Sequence, residues 1–141
     1  MRVKSGRPRQ YVLVPAAGVQ NVQAAKFITA LGELRLRVYD QIDDLDAEIL
    51  NATPGNAGLS IGRLALHLAS AEAKWMRRAG EVDIGGSLAE ELSAGKMENF
   101  SSPPPMVESA QTLINRMERV WNVITLPVAA SSRDFSRPIR H

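Results

Sequence analysis

His67 and His141 are the only imidazoles in the chain, and it has no cysteine. A bound metal ion would rest on His, Asp and Glu, and a thiolate site, a disulfide framework and a cysteine nucleophile are all excluded. On a helix, a second ligand beside His67 belongs at i+3 or i+4, and those positions are Ser70 and Ala71. Glu72, at i+5, stands roughly 140° around the helix from His67. His67 therefore cannot assemble a site within its own element. Asp43, Asp44, Asp46 and Glu48 spread over a wide arc of one helix and read as a solvated face. No glycine-rich phosphate loop and no Ser-His-Asp arrangement is visible, so no catalytic residue is identified.

The elements that would position these groups are helices. With 141 residues, 45% of them hydrophobic and only 5% aromatic, the chain can build one core, and its Ala, Leu, Met and Ile content favours packed helices over a sheet. Phe27, Leu31, Leu34, Val38, Ile42, Leu45 and Ile49 recur at steps of three and four and predict a first amphipathic helix stopped by Pro54-Gly55. Ser60 is the expected N-cap of a second helix, with Ile61, Leu64, Leu68, Ala71 and Trp75 on its apolar face and Arg77, Arg78 and Gly80 at its end. A long crossover follows, with a short helical turn expected over residues 88–92 and three prolines at 103–105. Val107, Ala110, Ile114, Met117, Trp121 and Ile124 then give the alternating spacing of a bundle seam, in a third helix that starts near Pro103 or Met106. After Pro127 the periodicity lapses, and residues 131–141 read as an irregular tail. Trp75, Trp121, Met106 and Met117 fall at seam positions and are expected to be core side chains. Three helices leave one seam open, to be closed by the N-terminal arm, a partner subunit or a fourth helix.

The run Leu59-Ser60-Ile61-Gly62-Arg63-Leu64-Ala65-Leu66-His67-Leu68-Ala69-Ser70-Ala71-Glu72-Ala73-Lys74-Trp75 resembles the second-helix signature of the DinB-like superfamily: a Ser-Ile-Gly start, a His-Leu-Ala centre, then a Glu and a Trp. The order of long first helix, signature, proline-bearing crossover and third helix is also similar, over roughly residues 26–141. Members are four-helix bundles, often dimers, whose second-helix His joins two His residues in a HxxxH arrangement on the last helix to bind a zinc- or nickel-like divalent ion. Some are thiol transferases or isomerases that act on low-molecular-weight thiols. The resemblance implies an all-α, up-down bundle of three long helices, the fourth missing or supplied by a partner. It implies His67 as one metal ligand for Zn or Ni, a small thiol substrate and a homodimer. The segment from Asp134 to the end resembles the connector before the family's last helix, and the HxxxH pair has no counterpart here. His141 matches neither family ligand. The competing expectation is a non-catalytic helical protein that acts by dimerisation or partner binding.

The formal charge is only +2, but Arg2, Lys4, Arg7 and Arg9 all precede the first acid, Glu33. Residues 1–20 are read as a basic flexible arm and 21–141 as a single DinB-like helical domain. A secretory signal is disfavoured because Pro15 interrupts the short apolar run at 11–19. No segment has the ~20 apolar residues of a membrane span. The basic head lacks interleaved aromatics and a recognition helix, so no nucleic-acid partner is expected. The absence of cysteine fits a cytoplasmic protein.

Overall fold

The computed structural model describes residue 8 and residues 12–55, 59–83, 85–93, 95–96 and 106–131. Among these the chain is all-helical: α1 (Val22–Ile42), α2 (Ala47–Asn51), α3 (Ile61–Gly80), α4 (Gly86–Ser93), α5 (Ala110–Val120), a π-helical turn (Trp121–Thr125) and α6 (Leu126–Ala130). No helix among the described residues is long and apolar enough to cross a membrane.

Side-chain caps set most of the starts. Asn21 accepts from the Ala24 amide at 3.0 Å, and Ser60 caps α3 through the Arg63 amide at 3.1 Å, as its sequence position predicts. Ser109 does the same for α5, which therefore begins at Ala110, later than the prolines suggest. The single first helix expected through Ile49 is in fact two. Asp43 and Asp44 end α1, and Asp46 takes the Ile49 amide at 2.9 Å to start α2. Aspartates favour capping over helix interiors, which explains the break.

Helices α3 and α5 form the centre of the main core, where Leu50, Leu66, Leu113 and Val120 are completely or almost completely buried. Asn51 clamps the approach to α5 by bonding both the amide and the carbonyl of Val107 at 2.8 Å. Glu91 of α4 accepts from Arg119 of α5 at 2.5 Å. A smaller cluster of Ile28, Trp121 and Ala129 joins α1 to the π turn and α6, with Ala16 and Val19 packed on it.

The seam residues of the third helix pack largely as expected: Val107, Ala110, Met117, Trp121 and Ile124 are buried and Ile114 is partly so, whereas Met106 is exposed. The apolar stripe of the second helix does not, and that of the first does so only in part. On α3 the buried face is Gly62, Ala65, Leu66, Ala69, Ala73 and Met76. Ile61, Leu64, Leu68 and Trp75, the face expected inside, are 38–49% exposed. Of the stripe expected on the first helix, Ile42 is buried and Leu31, Val38 and Leu45 pack against the cores, whereas Phe27, Leu34 and Ile49 are exposed; Ala24, Ala25, Ile28 and Tyr39 of α1 are buried as well. The face that α3 buries is built mostly of small residues, and its large apolar stripe is rotated toward solvent. Helical periodicity finds an apolar face but cannot say which of two overlapping faces has a neighbour.

Beyond Val120 the helix does not stop at Pro127. A proline inside a helix lacks an N–H and crowds the carbonyl four residues back, here Val123. The chain answers with the π turn, in which the Leu126 amide bonds the Trp121 carbonyl, and the helix then continues to Ala130. Residues 132–141, including His141, and the prolines at 103–105 lie outside the described residues.

Candidate functional site

Two groups of side chains could do chemistry, and they lie on different sides of α3. The first surrounds Arg35, which spacing places one residue past Leu34 on α1. Its side chain is only 9% exposed, and its guanidinium lies 4.1 Å from the Trp121 ring centre and 5.3 Å from that of Tyr39. Gly32, one turn earlier, makes room: a Cβ there would stand 3.3 Å from Trp121 Cη2. Arg35 Nη1 donates to the Tyr39 hydroxyl at 2.9 Å and pairs with Glu118 of α5, whose side chain is 40% exposed. Among the described residues Arg35 Nε, fully buried, has no hydrogen-bond acceptor. Burial pushes the Tyr39 hydroxyl far above its ordinary range, keeping it protonated, although the nearby guanidinium opposes the shift.

Glu72 of α3 closes this cluster. It accepts from the Thr125 hydroxyl at 2.5 Å, and the π turn is what brings the fully buried Thr125 round to it. Burial raises the Glu72 carboxyl above its ordinary value of 4.5, and the like charge of Glu118 adds to this. The Thr125 hydrogen bond and the Arg35 charge pull the other way. The cluster thus combines a held proton donor, a buried cation and a second carboxylate with access to water. This is the composition of an acid-base site as well as of a structural network.

The raised carboxyl has a signed consequence. The folded chain holds the Glu72 proton more tightly than the unfolded chain does, so between pH 4.5 and the higher folded value each rise in pH lowers stability. Below pH 4.5 the contribution is constant. Glu72→Gln keeps an acceptor for Thr125 and removes the titration. The variant is expected to melt about 2–4 °C above the parent at pH 8, with the gap closing as the pH falls to 4. A gap that does not change between the two pH values would show that folding does not tighten the hold on the Glu72 proton.

The second group is built on His67. Its Nδ1 lies 2.8 Å from the Gly95 carbonyl, which can only accept, so in the neutral ring Nδ1 carries the hydrogen and Nε2 the lone pair. The crossover can come this close only because residue 95 is glycine. A Cβ there would overlap the Leu66 carbonyl and stand 2.8 Å from the His67 amide nitrogen. His67 borders a cleft of about 500 Å³ between α3, α4 and the turn at Lys96.

His67 and Glu72 are therefore not brought together: one bonds the crossover, the other the π turn that follows α5. Among the described residues no three His, Cys, Asp or Glu side chains converge. Catalytic zinc usually takes three protein ligands, so the described residues supply one imidazole of suitable tautomer and no complete site. Comparison with family models, curated proteins and solved structures gives no match.

Arg35, Glu118 and Thr125 were not singled out by sequence. The available signal was weak: Arg35 sits at the edge of an apolar stripe, and Pro127 interrupts an otherwise helical run.

Proposed function

We propose that this protein is an up-down helical bundle of the DinB-like type that acts through self-association, a second copy covering the apolar faces that α1 and α3 leave open. The supporting observation is the set of large apolar side chains left 38–61% exposed, Ile61, Leu64 and Leu68 on α3 and Phe27 and Leu34 on α1. Contiguous apolar patches on proteins mark interaction surfaces. A cytoplasmic location goes with this reading.

Sedimentation velocity over a concentration series tests it, with Leu64→Glu/Leu68→Glu as the variant. Both side chains are half in solvent, so helicity is expected to persist while self-association weakens at least tenfold. A parent protein that stays monomeric at every concentration ends the proposal.

One observation favours a second reading, a divalent-metal-dependent thiol transferase by family resemblance. Metal-binding histidines commonly donate their other N–H to a backbone carbonyl, as His67 does to Gly95. The remaining ligands would have to come from a second copy or from residues outside those described. Elemental analysis after exposure to trace Zn²⁺ or Ni²⁺ is then expected to give near one equivalent per chain, lost in His67→Ala. Equal, negligible metal in both samples removes the metal reading and leaves the association reading intact.

A further inference from the structure

We infer that the cleft between α3 and α4 is a binding site for a small organic phosphate. Lys74, Arg77 and Arg78 of α3 and Lys96 of the crossover turn line it, and no carboxylate is among its described lining residues. Its volume of about 500 Å³ is in the range of small-molecule sites and exceeds what a bare phosphate fills.

Arg77 and Arg78 alone have an ordinary explanation, because cations suit the last turn of a helix. Lys74 and Lys96 do not share it. Lys96 belongs to a different element, and the fold turns it into a cleft already lined by three cations. Neither lysine side chain has an ion-pair or hydrogen-bond partner among the described residues, and the Arg77 guanidinium reaches only a solvent-exposed Asp83, at 3.9 Å. Like charges gathered from two elements repel unless an anion lies between them, and a concave wall focuses their field on that anion. The remaining lining indicates the rest of the ligand. Leu92 and the half-exposed Trp75 offer an apolar, planar surface, and the Arg78 guanidinium already lies over the Trp75 ring at 5.5 Å. An anionic group held by the cations and a flat body against the indole satisfy both halves. Enclosure on two sides favours a small molecule over a polymer backbone, which needs a continuous track.

The site is independent of the metal reading, and titrations run in EDTA keep His67 ligation out of the result. Phenyl phosphate is the probe, with Trp75 fluorescence as the readout and inorganic phosphate and phenol as the two half-ligands. Saturable binding is expected, tighter for phenyl phosphate than for either half and weakened by salt. Lys74→Gln/Lys96→Gln is expected to reduce affinity at least tenfold without changing the melting temperature. Trp75→Leu, followed by calorimetry, is expected to abolish the preference over inorganic phosphate. Phosphatidylcholine vesicles doped with phosphatidic acid separate a free ligand from a lipid headgroup carrying the same chemistry. Binding to vesicles that survives where phenyl phosphate does not bind overturns the small-molecule site. Absence of saturable binding, or affinity unchanged in the double lysine variant, overturns it as well.

Discussion

Arg35→Ala is expected to lower the folding stability of this chain by about 3 kcal/mol, roughly 10 °C in melting temperature. Three losses combine. The alkyl stem and guanidinium leave the faces of Trp121 and Tyr39, the Tyr39 hydroxyl loses its donor, and Glu72 and Glu118 face each other without the cation between them. Glu118→Gln separates these contributions. Because Glu118 is 40% exposed, water can take over much of what the ion pair provided, and a loss of about 1 kcal/mol is expected. Denaturant melts of the two single variants and the double variant yield the coupling between them. An Arg35→Ala protein as stable as its parent would mean that the guanidinium is not buried against Trp121 in solution.

The second large effect is expected at Gly95. A methyl group there overlaps the backbone of α3, and no side-chain rotation relieves contact with a carbonyl. Gly95→Ala must push the crossover off α3 and is expected to destabilise the chain by about 2 kcal/mol. It should also release His67. Nitrogen-15 chemical shifts of the imidazole report this directly: the parent ring is expected to carry its hydrogen on Nδ1, bound to the Gly95 carbonyl, and the variant ring to show a mixture of tautomers. The same tautomer in both proteins would show that the Gly95 contact does not set it. If metal binds at His67, weaker binding in Gly95→Ala would follow from the lost orientation.

The stripe on α3 shows how far the sequence can be read and where it stops. Steps of three and four along Ile61, Leu64, Leu68 and Trp75 identify a helix, and Ser60 marks its start within one residue, because capping and periodicity are local properties of the chain. The same spacing does not say that this face is outermost. The true core face, Ala65, Leu66, Ala69, Ala73 and Met76, is built largely of small residues that carry little weight in a hydrophobic pattern.

The sequence by itself determined the helical class, the absence of cysteine ligands and nucleophiles from these residues, the separation of His67 from Glu72 and the seam of α5. These follow from composition, from 3.6 residues per turn and from the chemistry of single side chains. Tertiary structure alone decided the rest. It placed Arg35 of α1, Glu72 of α3 and Glu118 of α5 in one cluster, and used the π turn before Pro127 to bring Thr125 to Glu72. It also carried Lys96 to the cleft that Lys74 lines, and the Gly95 carbonyl to His67. The residues of each pair are 22 or more positions apart, and no periodicity couples positions at that range. Only the packing of one helix against another fixes which distant groups share a buried volume, and with it their charge, protonation and tautomer.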